Sequence, residues 1–140
     1  MKKTVYLDAM NQETTYNCLI LDDNEIDRLT TLMFVKRYPF LNVAGLCSSA
    51  QEAAQAIQQQ SVDVLLSDID MPETSGLEFR AQMRHIPVCI FITAYPDYAA
   101  ESFEVEAFDF LLKPIKAERF EQSMARLQNY LEIKRKAELF

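Results

Sequence analysis

The sequence predicts an α/β protein built on a five-stranded parallel sheet with helices on both faces, and three observations carry that prediction. Strand-like and helix-like segments alternate five times along the 140 residues. The strand-like runs are short and almost wholly apolar, as strands buried on both faces must be. Four of them stop abruptly on polar residues, the pattern expected where the carboxyl ends of parallel strands open onto a ligand crevice.

Strand one is read at residues 17–21, ending on Asp22 and Asp23. Helix one follows at about 25–38, with Asn24 as N-cap, Pro39 as stop, and Ile26, Leu29 and Met33 spaced to face the sheet. Strand two is 43–47, and the run Ser49-Ala50-Gln51-Glu52 reads as a capping box opening a helix to about residue 60. Strand three, 62–67, ends on Asp68. The turn-forming stretch from Met71 through Pro72 to Gly76 then leads to a third helix at 77–84, and the short span before Thr93 allows it about two turns. Strand four is 88–93, ending on Thr93, and Pro96 and Asp97 open a fourth helix through about residue 107. Strand five is 108–112, ending on Lys113, where the Lys113-Pro114 bond is one that can be cis. The last helix, about 118–136, carries a stripe of Phe120, Met124, Leu127 and Leu131, while Tyr130, Ile133, Ala137 and Phe140 form a second, rotated stripe.

Composition narrows the function classes. A single domain is expected: residues 1–16 as a flexible N-terminal extension, 17–136 as the folded domain, and 137–140 as the end of the long helix or the start of a linker. A net charge of −7 opposes nucleic-acid binding through this domain, and two glycines cannot write a P-loop or a dinucleotide fingerprint. Cys18, Cys47 and Cys89 lie in apolar runs without metal spacing, which reads as reduced buried thiols. Neither a secretory leader nor a membrane-length apolar run is evident, so a cytoplasmic protein without membrane contact is expected. His85, the one histidine, stands in a polar helix end and reads as a solvated residue with no ligand or phosphodonor role.

The strand endings converge on a specific chemistry. Asp22, Asp23 and Asp68 crowded at one sheet edge would raise one another's pKa unless a cation neutralised them. Hard carboxylate oxygens without His or Cys favour Mg2+. A carboxylate beside such an ion can accept a phosphoryl group. Thr93 and Lys113 would meet the transferred oxygens by hydrogen bonding and by charge.

In order and spacing the segments LILDDN, LLSDIDMP, FITA and FDFLLKP resemble the receiver domain of two-component response regulators, over residues 17–136. The resemblance implies a flavodoxin-like doubly wound sheet of order 2-1-3-4-5 with five helices, the order for which a chemotaxis receiver is a standard example. It implies Asp68 as phosphoacceptor, Asp22 and Asp23 as Mg2+ ligands with Asp68 and the backbone carbonyl of Asp70, Thr93 and Lys113 as partners of the phosphoryl oxygens, and Thr93 and Phe110 as the switch pair. Phe110 has no phenol, so the switch would act through packing. Asp70 and Tyr95 take the positions that set the dephosphorylation rate. The partners implied are a sensor histidine kinase and, on phosphorylation, a second copy or an effector meeting the face of the fourth helix, fifth strand and last helix. The stretch from Phe91 to Pro114 is further similar to receivers of LytTR-type transcriptional regulators, in which DNA is bound by a separate domain. The alternative reading is a haloacid-dehalogenase-like phosphohydrolase using Asp68 and Asp70, although the Asp68-Ile69-Asp70 pair lies on the third strand rather than the first.

Overall fold

The computed structural model describes residues 14–139. Its strands are β1 (Tyr16–Leu21), β2 (Leu41–Cys47), β3 (Val64–Ser67), β4 (Val88–Thr93) and β5 (Asp109–Leu112). Its helices are α1 (Glu25–Val35), α2 (Ala50–Gln59), α3 (Gly76–Gln82), α4 (Ala99–Glu104) and α5 (Ala117–Leu139), with a 3-10 turn, Pro96–Tyr98, before α4. The strands form one parallel sheet in the order β2-β1-β3-β4-β5, the doubly wound flavodoxin-like arrangement expected.

Alternation along each strand divides the core into two layers. Cys18, Ile20, Val64, Leu66, Val88, Ile90, Ile92 and Leu111 pack with Val35 of α1 and with Phe120, Met124, Leu127 and Leu131 of α5. Leu19, Leu21, Leu65, Cys89 and Phe91 face the other way, against Ala53 of α2, Phe79 of α3 and the half-buried Tyr98, Val105 and Phe110. All three cysteines are buried and free, and burial pushes the Cys18 and Cys89 thiols up to about 12 and that of Cys47 to about 11.

Helix α1 departs from its sequence reading. Ile26, Leu29 and Met33, expected against the sheet, are 75%, 44% and 66% exposed, whereas Thr31 and Val35 are buried and Leu32 and Phe34 half-buried. The helix is apolar on several sides, so periodicity alone does not fix which stripe is buried. Polar anchors decide the rotation: Asn24 caps the amide of Asp27, and the Arg28 guanidinium donates to the Asp22 carbonyl at 2.8 Å. The helix also ends three residues early, at Val35, because the chain turns to seat Tyr38 against Phe40 and Phe120.

Two other boundaries are informative. At α2 the Ser49 hydroxyl caps Glu52 as expected, but the Glu52 carboxylate turns to the hydroxyl and amide of Ser48, so the box is half formed. The complete capping box is at α3, where Ser75 and Glu78 cap each other. The fourth helix is much shorter than expected, because its first turn is 3-10 and it closes at Glu106 in a Schellman motif: Ala107 N–H bonds to Ser102 O and Glu106 N–H to Phe103 O. Glu106 takes the left-handed conformation, φ 60°, that favours glycine. Its exposed ion pair with Arg84 offsets little of that strain. Glu106→Gly is therefore expected to stabilise the domain by about 0.5–1 kcal/mol. In thermal unfolding this would read as a rise of about 2–4 °C.

The last helix buries Phe120, Met124, Leu127 and Leu131 as expected and leaves Tyr130 and Ile133 exposed; Phe140 lies outside the described residues, as does most of the N-terminal extension. Among the described residues, no helix is long and apolar enough to cross a membrane.

Candidate functional site

Sheet register brings the four strand endings together. Leu21 of β1 lies opposite Ser67 of β3, and Ser67 opposite Phe91 of β4, so Asp22 and Asp68 leave the sheet side by side. Thr93 pairs with Leu112, and the Lys113 amide bonds to the Thr93 carbonyl at 2.8 Å, which delivers Lys113 to the same edge. The following Lys113-Pro114 bond is cis.

Each acid is oriented by the backbone around it. Asp22 is buried; one of its oxygens, Oδ1, accepts from Asn24 N–H at 2.9 Å, and the other, Oδ2, accepts from Lys113 Nζ at 2.9 Å. Asp68 is 8% exposed; its Oδ1 accepts from Ile69 N–H at 2.8 Å, leaving Oδ2 facing Lys113 Nζ at 3.4 Å. Oxygens of Asp22, Asp23 and Asp68 lie within 4.8 Å of one another. Three carboxylates in so small a volume, two of them buried, fit a hard divalent cation bound through oxygen.

Two residues that the sequence reading passed over shape the site. Asp27, in the first turn of α1, accepts a second bond from Lys113 Nζ at 2.9 Å, so the ammonium is shared by three carboxylates. The capping signal at Asn24 could have flagged it, since a cap there aims the first turn at the sheet edge. Gly76 was read as loop chemistry; a Cβ on it would sit on the Asp68 carbonyl oxygen, while its N–H bonds to Ile69 O at 2.8 Å. A close approach of α3 to the Asp68 backbone therefore requires glycine there.

The outlying residues form a second tier. Thr93 is fully buried, and its hydroxyl accepts from Tyr95 N–H at 3.2 Å. Tyr95 is half-exposed, its ring edge-on to Tyr98 at 6.2 Å. Asp70 is exposed, and its charge is the main cause raising the Tyr98 phenol. Phe110 is half-buried in the layer that holds α4. The structure thus gathers Asp22, Asp23, Asp68 and Lys113 in one cluster, with Thr93 on the adjoining strand end, Asp70 and Tyr95 in the chain just beyond β3 and β4, and Phe110 within β5.

Electrostatics mark Asp68 out. Burial, reinforced by the charge of Asp22, outweighs Lys113 and pushes its carboxyl up to about 6 from an ordinary 3.8. Burial opposes the charge on Lys113, but its bonds to Asp22 and Asp27 outweigh that and raise its pKa. Because the Asp68 value in the folded state lies above that of the unfolded chain, its proton favours folding: the contribution is complete below about pH 4 and is lost as pH rises through about 6. In a divalent-free buffer, wild type is expected to lose about 1–3 kcal/mol relative to Asp68→Asn across that window. Thermal melts of both proteins against pH check this, and parallel curves would contradict it.

Comparison with known proteins shows the family and the fold. The sequence profile of the response regulator receiver domain matches residues 18–125. This chain belongs to the receiver family. That family is one of signalling domains. Among curated relatives, the transcriptional regulatory protein BtsR of Escherichia coli (strain K12) is 40% identical over 112 residues, covering 79% of this chain and 47% of the relative. The chain spans about half the length of the curated relatives it matches. Among solved receivers, the response regulatory domain of mrkE from Klebsiella pneumoniae superposes with a TM-score of 0.78 at 25% identity, covering 83% of this chain and 98% of that one. The REC domain of AraT from Geobacillus stearothermophilus gives 0.79 at 27%, covering 87% and 99%.

Proposed function

We propose that this receiver is a phosphoacceptor switch in which Asp68 takes a phosphoryl group from a sensor histidine kinase. The observation that carries the reading is the shared ammonium: Lys113 Nζ stands 2.9 Å from Asp22 and 3.4 Å from Asp68 Oδ2, the oxygen that does not take the Ile69 N–H bond. An oxygen so placed can form a bond to phosphorus as the donor's P–N bond breaks, with Lys113 beside the developing charge. Mg2+ held by Asp22, Asp23, Asp68 and the Asp70 carbonyl would neutralise charge on the phosphoryl oxygens. Asp70 and Tyr95, at the rim, would limit water access and so set the lifetime of the phosphorylated state.

The donor requires a surface next to this cluster, and the exposed row Ile26, Leu29 and Met33 on α1 supplies an apolar one. Output is assigned to the α4-β5-α5 face. There Phe103 and Leu112 are exposed, Glu101 and Glu104 lie on α4, and Lys116 and Arg119 line a hollow of about 450 Å³ with Phe110 and Pro114. Opposite charges on one face suit pairing with a second copy. Thr93 and Phe110 would couple the site to that face, Phe110 by packing alone. The name of the E. coli relative supports a transcriptional output. The LytTR-like stretch and the chain's net charge of −7 support DNA being bound by a separate domain of that type. We place the exchange in the cytoplasm.

The phosphohydrolase alternative needs Asp70 as an acid beside Asp68, yet Asp70 is exposed and its charge bears on Tyr98. Incubation with Mg2+ and acetyl phosphate separates the two. A base-labile adduct that accumulates to one per chain is expected; continuous turnover of phosphate esters without accumulation would overturn the receiver reading in favour of a hydrolase.

A further inference from the structure

We propose that Arg80 is a positioning residue that fixes the carboxyl end of α4, so that the phosphoryl-linked change is a swing of the amino end of that helix about a stationary pivot. The inference rests on the switch reading above. Arg80 projects from α3 and is 2% exposed. Its Nε donates to Val105 O at 3.0 Å, Nη2 to Glu106 O at 3.1 Å, and Nη1 to Met83 O at 3.1 Å and Ile86 O at 2.8 Å. The first two are the closing carbonyls of α4, and the other two belong to the chain leaving α3.

A buried cation is costly unless its surroundings replace water. Here the replacement is the partial negative charge of four backbone carbonyls, two closing α4 and two in the chain leaving α3, converging on one guanidinium. The planar fork holds its donors in fixed directions, so the end of α4 cannot shift against α3 without breaking several bonds at once. Arg84 reinforces the joint from outside, donating to Glu104 O at 3.3 Å.

The amino end of α4 is built differently. Tyr95, which precedes the 3-10 turn, and Tyr98, which precedes α4, make no side-chain cap bond, and Ala94, Pro96 and Asp97 are exposed. This end is tied to the strand by the Tyr95 N–H bond to the Thr93 hydroxyl, 3.2 Å. Turning that hydroxyl towards a phosphoryl oxygen would break the bond. One end is therefore clamped by a buried guanidinium, and the other hangs on the residue that senses the phosphoryl group.

Hydrogen exchange read by mass spectrometry, with and without beryllium fluoride and Mg2+, tests the pivot in wild type and in Arg80→Lys, which keeps the charge but loses the fork. In wild type, exchange in residues 94–101 is expected to change about tenfold while residues 104–108 stay constant. In Arg80→Lys the beryllium-fluoride-dependent change is expected to spread into 104–108, with the strands exchanging alike in both proteins. A wild-type response at 104–108 as large as at 94–101 overturns the pivot, as does a variant whose exchange rises throughout the domain equally with and without the anion. Intact mass after acetyl phosphate separates the two levels: an adduct together with a moving carboxyl end overturns the pivot alone, whereas no adduct and no response at either end overturns the switch reading with it.

Discussion

Replacing Asp68 with asparagine is expected to abolish the acetyl-phosphate adduct while leaving the domain folded. The amide fills the same space at the end of β3, and its carbonyl oxygen can still accept the Ile69 N–H bond at 2.8 Å. What is lost is a carboxylate oxygen able to attack phosphorus. What is relieved is the repulsion between two buried acids that share one ammonium, with Lys113 left to Asp22 and Asp27. Without divalent cations and near neutral pH, the variant should match or exceed wild type in melting temperature, because a buried, under-neutralised carboxylate has been removed. An intact-mass spectrum showing the adduct retained would mean that another carboxylate is the acceptor.

Lys113→Met should have the larger effect on stability. Its side chain is 15% exposed, against 4% for Asp22 and 9% for Asp68, so removing the ammonium leaves two buried carboxylates without their cation. Breaking a buried pair in this way costs about 3–5 kcal/mol. In a domain of this size that lowers the melting temperature by on the order of 10 °C or more. Mg2+ should restore part of the loss in a concentration-dependent way, since a ligand that binds only the folded state stabilises it by mass action. Adduct formation should slow by about 10²-fold or more, as when an electrostatic partner of a transition state is removed. Thermal melts with Mg2+ and with a chelator check the first part. Identical melting with and without the metal would count against a cation site at Asp22, Asp23 and Asp68.

Much of this arrangement was legible in the residues because parallel strands with two buried faces leave an unmistakable apolar run, and four of the five runs here end on a reactive side chain. Strand order is another matter: periodicity shows that a strand exists but not which neighbour it takes, and the order 2-1-3-4-5 came from the resemblance of the motifs. Sequence periodicity failed at α1, where Ile26, Leu29 and Met33 compete with Thr31 and Val35 and a polar contact, Arg28 to the Asp22 carbonyl, sets the rotation. It failed again at the end of α4, where the left-handed residue is Glu106 instead of the glycine that would have signalled a stop. Asp27, Gly76 and Arg80 were passed over for a shared reason. Their roles depend on contacts across the fold, to Lys113, to the Asp68 backbone and to the carbonyls of Val105 and Glu106, that no local pattern encodes.

On the proposed switch reading, the same contacts set what a phosphoryl group must overcome. Thr93 and the amino end of α4 are joined by one hydrogen bond, while the far end of the helix is held by Arg80. A phosphoryl group that draws the hydroxyl away must offset that bond and the packing of Tyr98 and Phe110, and a ligand shifts an equilibrium by its differential affinity for two states.

The central claim is that Asp68 is the phosphoacceptor of a metal-dependent site. Peptide mapping of the wild-type protein after acetyl phosphate treatment, with and without Mg2+, tests it most directly. Modification is expected to be confined to Asp68 and to depend on the metal; modification at another carboxylate, or at Asp68 to the same extent in chelator, would overturn the assignment.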